Sequence, residues 1–524
     1  MPSRVIDVGL RDGSVEPRLY QSQGESGQWA TLSHCWGKTV TTRLTLATLE
    51  DNMTAIPIAT LSQNFRDAIA VTRILGIRYV WIDSLCIIQD SAEDWLQESA
   101  KMGDIYKKSL ITIAGTNAEE STAGFLRKRS SEIRCHLRLS NDEEISVHVR
   151  PRIEWYGFAE IVGPLTRRAW VLQERLLAAQ ILHFGGQQMM WQCQTRTLAE
   201  GFCDADSAPE EQIPGAIESM LRIEFHARIE GSLPTEDDFS AKDKHNDTNL
   251  SRSHILETPS TIYPLRDNIY SQWYQVVALY ANLKLTKQTD KLPAIAGIAR
   301  QIQVRTADTY LAGLWERDMQ RGLHWWYNPP GVMVRPSIPR APSWSWASLD
   351  LTTEESLVPS SADFYLCATH ASKYIPYEYD LTLISFSPEL TEHGCLGSSL
   401  GSLTLRGLWN TAEFSKDLGV PLGRFSLSYP MPLALRGQEG ICAAARLDVR
   451  QEQIEGLEMG CLQVGKFEYV GPKYPREEFV FALLLRRVGQ RSDGSDLYAR
   501  LGIAVLFSHC DPVLGWERRE IDII

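Results

Sequence analysis

The chain has 524 residues, enough for two or three domains that each bury a sizeable core. Hydrophobic residues make up 44% and charged residues 23%, which excludes disorder along the whole chain. The net charge of −12 argues against nucleic-acid binding as the main activity, since phosphate backbones require a basic face. No apolar stretch reaches the roughly 18 residues of a membrane span, so we expect no membrane partner.

Cysteine usage and the N-terminal segment both predict a cytoplasmic protein. The ten cysteines include no C-x-x-C pair and no cysteine–histidine cluster at zinc-ligand spacing, so we expect no metal site. The first residues, MPSRVIDVGLRDGS, lack the apolar core of a secretory signal. Reduced thiols in the cytoplasm are the expectation.

The N-terminal part alternates strand and helix patterns. WATLSHCW predicts a buried strand, residues 61–75 an amphipathic helix closed by Gly76, and RYVWID a second buried strand. Ser91 is a candidate cap for a helix through Tyr106, and SLITIAG predicts the third strand. Residues 166–177 predict another helix, followed by strands in QILHFG and QQMMWQC. This order is typical of an α/β domain with an open parallel sheet, as in flavodoxin-like folds.

In open parallel sheets, ligands bind beyond the carboxyl ends of the strands. That rule points to Ser33, Cys35 and Trp36 after the first strand, and to Asp83 and Cys86 after the second. Residues 116–117 follow the third strand. These positions are the candidate ligand-binding edge of the sheet.

The remainder of the chain differs in character. We predict three regions: an α/β domain over 1–206, a linker and helical region over 207–340, and a β-rich C-terminal domain over 341–524. Residues 231–261 are polar and charged, which indicates a flexible linker. Short β-type runs such as SLTLRGLW and YARLGIAVLF, punctuated by glycine and proline, indicate an antiparallel sheet at the end.

Four long segments carry a family resemblance. They are TLSHCWG, FRDAIAVTRILGIRYVWIDSLCIIQD, DWLQESAKMGDIYKKSLITIAGTNAEESTAGFL and PLTRRAWVLQERLLAAQILHFG. In order and spacing they resemble the motifs of the fungal heterokaryon incompatibility (HET) domain, over residues 29–193. The resemblance implies a cytoplasmic effector of nonself recognition and programmed cell death, with other signalling proteins as partners.

The HET fold is also thought to be distantly similar to TIR domains, some of which hydrolyse NAD. The resemblance therefore implies NAD as a substrate and one glutamate that stabilises the ribosyl cation. Glu98 is the matching position. Alternatively, Glu98 is an exposed helical glutamate that forms an ion pair. A HET-fold enzyme of secondary metabolism acting on a small organic substrate, or a non-catalytic interaction module, stays open as the function.

The residues themselves leave further alternatives open. Asp83 either binds or deprotonates a ligand, or caps its turn or pairs with a buried arginine such as Arg168. Cys86 and Cys35 are either nucleophiles at the ligand edge or buried inert thiols. No base is expected to reach Cys35, because its neighbour His34 points to the opposite face of the strand.

The densest group of charged and aromatic side chains lies in the predicted helix 166–177. Trp170 and Glu174 share one helical face, which makes Trp170 a ligand-binding candidate and Glu174 a catalytic one. Arg168 either holds a phosphate or carboxylate of a ligand, or Arg168 and Glu174 lock the helix to the sheet through ion pairs.

Overall fold

The computed structural model divides the chain into two compact units, 1–230 and 231–524. Within them it describes residues 1–37, 42–127, 133–138, 144–149, 163–186, 188–194, 197–200, 269–328, 333–351, 363–366, 374–387, 401–414, 431–438, 440–449, 457–471, 474–506 and 514–524. The predicted linker at 231–261 and the boundary at 206 lie outside the described residues.

The N-terminal unit is built on a mixed eight-stranded sheet. The described strands of the whole unit are β1 (Arg4–Asp7), β2 (Arg18–Gln21), β3 (Trp29–Ser33), β4 (Tyr79–Trp81), β5 (Ile111–Ala114), β6 (Ile133–Arg138), β7 (Glu144–Val149), β8 (Gln180–Phe184), β9 (Met189–Cys193) and β10 (Thr197–Ala199). The sheet order is β10-β9-β8-β5-β3-β4-β1-β2, while β6 and β7 form a separate hairpin. The four central strands β8, β5, β3 and β4 run parallel, which confirms the α/β class and the parallel arrangement of the three predicted strands.

The edges of this sheet are antiparallel, so the sheet is mixed and not purely parallel as predicted. β1 pairs antiparallel with β2 and β4, and β9 pairs antiparallel with β8 and β10. Short connections such as the one at 185–188 cannot make the crossover that a parallel pair requires. The central strand β3 is buried along its whole length, as expected for a strand covered on both faces.

The helices of this unit connect the strands. They are α1 (Leu49–Thr54), α2 (Gln63–Ile74), α3 (Asp83–Cys86), α4 (Ala92–Ser99), α5 (Met102–Lys107) and α6 (Ala169–Leu177), with 3₁₀ turns at Leu46–Thr48, Ile58–Thr60 and Leu165–Arg167. The apolar stripe of α2 is buried, and Gly76 ends the helix in a left-handed conformation. Ser91 caps α4 by accepting a hydrogen bond from the Asp94 backbone N–H, as predicted.

Two predicted helices are interrupted. The helix expected from Ser91 through Tyr106 is divided between α4 and α5, where the Lys101 N–H turns back to the Glu98 carbonyl. The helix expected over 166–177 begins only at Ala169, because Arg168 is extended (φ −90°, ψ 134°). This break leaves the Arg168 side chain at the start of α6 and not on its side.

The parallel strands follow the order 2-1-3-4, which places a topological switch point between β3 and β5. Helix α2 is the crossover from β3 to β4, so it begins at the carboxyl edge of the sheet. The core beneath contains large buried side chains such as Trp81, Tyr106 and Phe65. The sheet and its crossovers thereby bring the ends of β3, β4 and β5 together.

The described part of the C-terminal unit begins with helices. These are α7 (Ile269–Ala281), α8 (Pro293–Thr306) and α9 (Met319–Gly322), with 3₁₀ turns at Gln288–Asp290, Glu316–Asp318 and Trp346–Ser348. Pro293 stands in the first turn of α8, where its missing N–H costs nothing. Three two-stranded ladders accompany them: β11 (Tyr310–Leu311) with β12 (Leu314–Trp315), β13 (Trp325–Asn328) with β16 (Asp363–Leu366), and β14 (Met333–Val334) with β15 (Asp350–Leu351).

The end of the chain forms a nine-stranded sheet, which confirms the predicted β-rich region. Its strands are β17 (Tyr374–Tyr379), β18 (Thr382–Ser387), β19 (Ser402–Phe414), β20 (Met431–Leu435), β21 (Ala443–Leu447), β22 (Met459–Gly471), β23 (Tyr474–Gln490), β24 (Asp496–Leu506) and β25 (Glu517–Ile523). The described pairings are antiparallel except for that of β24 with β25. β19 pairs with β22 as well as β20, so six strands close into a ring.

Candidate ligand site at the carboxyl edge of the N-terminal sheet

The chain leaves β3 at the switch point through His34, Cys35 and Trp36. Trp36 is half-buried and its indole Nε1 donates a hydrogen bond of 2.8 Å to Oδ2 of Asp83, which follows β4. Oδ1 of Asp83 accepts from the Ser84 backbone N–H at 2.7 Å. The Asp83 side chain keeps 21% of its surface exposed, so a carboxylate oriented by two donors remains within reach of a ligand.

Behind this outer layer lies a buried carboxyl group. Glu174 projects from α6 and accepts a hydrogen bond from the hydroxyl of Ser33, the last residue of β3. Tyr106 on α5 lies at the same strand end, where its hydroxyl donates to the Leu32 carbonyl at 3.0 Å. Burial raises the pKa of Glu174 to about 7, an effect that the hydroxyl of Ser33 opposes and the charge of Asp83 increases.

His34 is the second titratable group of this edge. Its ring packs against that of Phe65 on α2 with centroids 5.1 Å apart, and its Nδ1 lies 4.0 Å from Oδ1 of Asp83. Burial lowers the pKa of His34 to about 4, against the opposing pull of Asp83, so the imidazole is neutral at physiological pH. Nε2 is buried and has no hydrogen-bond partner among the residues that the structure describes.

Arg168 reaches from the start of α6 to the end of β3. One of its terminal nitrogens donates to the His34 carbonyl. Burial raises the pKa of Cys35 in spite of the positive charge of Arg168, which disfavours the nucleophilic thiolate at neutral pH. Arg168 and Asp83 both act electrostatically on His34 and on Glu174, so the predicted residues of three elements share one edge.

The other candidates lie at varying distance from this group. Cys86 is fully buried in α3, and burial raises the pKa of its thiol to about 12. Glu98 is buried too and not exposed, and its Oε1 accepts from Ser3 at 2.8 Å and from Lys101 at 2.9 Å. Trp170 is half-buried, and its ring meets Trp95 edge-on.

Sequence reasoning missed Tyr106 and the part played by His34. Tyr106 belongs to an amphipathic helix pattern, and nothing in that pattern shows that its hydroxyl would reach the end of β3. His34 was passed over because it points away from Cys35, yet that same alternation directs it towards α2 and Asp83. The strand-end rule alone would have selected it.

Comparison with known proteins assigns this unit. Residues 29–174 match the family model described as heterokaryon incompatibility protein (HET), a span that begins with β3 and ends at Glu174. No curated protein and no solved structure matches the chain. Among the described residues, no helix is long and apolar enough to cross a membrane. The N-terminal unit of this chain contains a heterokaryon incompatibility (HET) domain.

Proposed function

We propose that the HET domain acts as a fungal cell-death effector in nonself recognition, and that it does so by hydrolysing NAD at the carboxyl edge of its sheet. The presence of a HET domain supports a heterokaryon-incompatibility-type function. The observation that carries the finer proposal is the half-buried group of Trp36, Asp83 and Arg168 over the buried carboxyl of Glu174.

The three outer side chains suit the parts of a dinucleotide. An indole offers an aromatic face on which a nicotinamide or adenine ring can stack. The carboxylate of Asp83 can accept hydrogen bonds from ribose hydroxyls, and the guanidinium of Arg168 can bind a phosphate. The switch point of an open α/β sheet is also where nucleotides bind in other folds of this class.

In the proposed reaction, the bond between C1′ of the ribose and N1 of nicotinamide breaks, and nicotinamide leaves with the bonding electron pair. Water adds to C1′ and releases its proton to solvent, which gives ADP-ribose and nicotinamide. The Asp83 carboxylate stabilises the cationic C1′ centre. Glu174 is a positioning residue, because its bond to Ser33 fixes α6, and with it Arg168, against the sheet.

Nicotinamide release by the purified full chain tests this proposal. We expect Asp83→Asn to slow release roughly a hundredfold or more, because it removes one charge-stabilising group while keeping the side chain's size. Asp104→Asn is the matched control, since Asp104 forms a surface ion pair with Lys108 on α5. Wild-type protein that releases no nicotinamide would contradict the proposal, as would full activity in D83N.

Glu98 is the alternative charge-stabilising residue. Its described contacts are with Ser3 and Lys101, so we assign the role to Asp83 and expect Glu98→Gln to keep most of its activity. A hundredfold loss in E98Q, with activity retained in D83N, would transfer the role to Glu98.

A non-catalytic interaction module is the second candidate. It is favoured by the burial of Ser33 and Glu174, which join strand and helix much as a structural lock would. This reading would be supported if the wild type released no nicotinamide and bound no NAD, and if Glu174→Gln only lowered the stability of the fold.

A further inference from the structure

Helix α2 begins at the carboxyl edge of the sheet, with Ser62 in the N-cap position. The Ser62 side chain makes no capping hydrogen bond, and its Oγ is buried without a partner among the described residues. This is unusual, because a serine at an N-cap ordinarily accepts a bond from the first turn of its helix. By contrast, Ser91 at the start of α4 accepts from Asp94 in this way.

Two other polar side chains lie at the first turn of α2, and each has a buried polar atom without a hydrogen-bond partner among the described residues. The Ser121 carbonyl accepts from the Asn64 N–H at 2.9 Å, which places Ser121 at this turn, and its Oγ is buried without a partner in the described chain. His34, in contact with Phe65, has its unpartnered Nε2. All three residues are more than nine-tenths buried, so each of these groups forgoes hydrogen bonds with water.

The charge at this turn favours an anion. No acidic residue occupies the first turn of α2, and its positive dipole end is uncompensated. Asp67, one turn further on, already accepts from the backbone N–H groups of Phe125 and Leu126. The guanidinium of Arg66 is half-buried with its Nε unpartnered in the described residues. Glu120 also lies beside this turn, because its backbone carbonyl accepts from the Asn64 side chain, and its carboxylate accepts from the hydroxyl of Thr122.

We propose that the start of α2 is a phosphate subsite, in which Ser62, Ser121 and His34 donate to the phosphate of a nucleotide bound at the strand ends. Hydroxyl groups and a neutral imidazole N–H are donors, and the helix terminus adds favourable charge. This inference deepens the proposed function, since NAD carries a diphosphate. Binding of ADP-ribose is measured separately from cleavage of NAD, so the subsite and the hydrolase proposal can each be contradicted without the other.

Titration calorimetry on the full chain compares ADP-ribose, inorganic pyrophosphate and adenosine as probes. We expect ADP-ribose and pyrophosphate to bind, and adenosine to bind at least tenfold more weakly than ADP-ribose. Their affinities should fall with added salt, because the contact is largely electrostatic. Absence of binding by both phosphate-bearing probes would overturn the subsite.

The decisive variant is Ser62→Asp. Its negative charge would repel a phosphate, and the N-cap preference of aspartate offsets part of the cost of burying that charge. We expect at least tenfold weaker binding of ADP-ribose and unchanged binding of adenosine. Ser91→Asp is the matched control at the start of α4, and it should bind ADP-ribose as the wild type does.

Ser62→Ala decides the matter if S62D proves unstable. Loss of one donor should weaken ADP-ribose binding about fivefold, the equivalent of one ordinary hydrogen bond. Unchanged affinity in a folded S62D or S62A protein would overturn the subsite even if NAD is cleaved. Conversely, ADP-ribose binding that depends on Ser62 in a protein that leaves NAD intact would sustain the subsite and remove the hydrolase proposal.

Discussion

Buried charged groups of the C-terminal unit differ from those at the strand ends of the N-terminal unit. In the C-terminal unit, Arg500 is fully buried and pairs with Asp448, with Nε 2.9 Å from Oδ2. Lys291 and Arg340 share Asp350 in the same way. At the strand ends of the N-terminal unit, the buried carboxyl of Glu174 accepts from the hydroxyl of Ser33, and Nε2 of His34 has no partner in the described chain.

This contrast separates groups that stabilise a fold from groups that can serve a ligand. A buried pair with all its hydrogen bonds satisfied keeps both members charged and fixes neighbouring elements. When a buried group has no opposite charge in contact, burial shifts its pKa in the direction that favours the neutral form. Glu174, with a pKa of about 7, is an example. We therefore expect changes in the C-terminal pairs to alter stability, and changes at the strand ends to alter binding and pH dependence.

The largest expected effect on stability comes from Arg500→Met. Arg500 also donates to the carbonyls of Leu323 and Trp325, so its removal leaves two carbonyl acceptors and the buried carboxylate of Asp448 unsatisfied. We expect a loss of about 3–5 kcal/mol in the free energy of unfolding. Denaturant titration measures it, and adding Asp448→Asn should recover part of the loss. A loss below about 1 kcal/mol would break the comparison.

The second effect is a pH dependence. The folded-state pKa of Glu174, about 7, lies above its ordinary value of 4.5, so the folded protein binds this proton more tightly than the unfolded chain. Its contribution to stability is full below about pH 4.5 and is lost as the pH rises towards 7. Relative to Glu174→Gln, the wild type should therefore lose up to about 3 kcal/mol over this range. Exposed Glu93→Gln is the control, and parallel pH curves for wild type and E174Q would contradict the assignment.

His34 opposes this trend in the wild type. Burial lowers its pKa from 6.5 to about 4, so the unfolded chain binds this proton more tightly and stability falls as the pH drops from 6.5 to 4. The two contributions cancel in part between pH 4.5 and 6.5. In E174Q the contribution of His34 is no longer opposed by Glu174, so the stability of this variant should rise with pH across that interval.

A smaller effect is expected for Trp36→Phe. The substitution keeps an aromatic face and removes the indole N–H that orients Asp83, which retains its bond from the Ser84 N–H. Loss of this hydrogen bond should lower the free energy of unfolding by about 1 kcal/mol, and the less well oriented Asp83 should lower kcat/KM for NAD about fivefold. Unchanged kinetics would show that Trp36 does not orient Asp83 for the reaction.

The smallest effect is expected at the surface of the C-terminal unit. Arg406 and Glu520 form an ion pair in which both side chains are about half exposed. Solvent screens such pairs, so Arg406→Gln should cost less than about 1 kcal/mol. A cost equal to that of R500M would show that burial does not decide the strength of these pairs.

The sequence predicts the sheet well because its buried strands are short apolar runs between clear helix signals. RYVWID and SLITIAG correspond to β4 and β5, and Gly76 marks the end of α2. The break before α6 could not be predicted from local sequence; the extended Arg168 at this point donates to the carbonyl of His34, far away in sequence. Local propensity carries no information about such a contact.

The site was predictable in part, for a similar reason. The strand-end rule selects Ser33, Trp36 and Asp83, and the helix pattern selects Glu174. Neither pattern shows that Ser33 bonds to Glu174, because that bond requires α6 to pack across the end of β3. Ser62 occupies the N-cap position of α2, but only the fold shows that its hydroxyl makes no hydrogen bond with the described residues.

Hydrogen exchange of the full chain, with and without saturating ADP-ribose, tests most directly whether the strand ends of the HET domain are a ligand site. We expect slower exchange in peptides covering residues 29–37, 62–67 and 115–125, and unchanged exchange in the described segments of the C-terminal unit. D83N and S62D should reduce this protection. Unchanged exchange throughout 29–174, or protection confined to the C-terminal unit, would contradict the account.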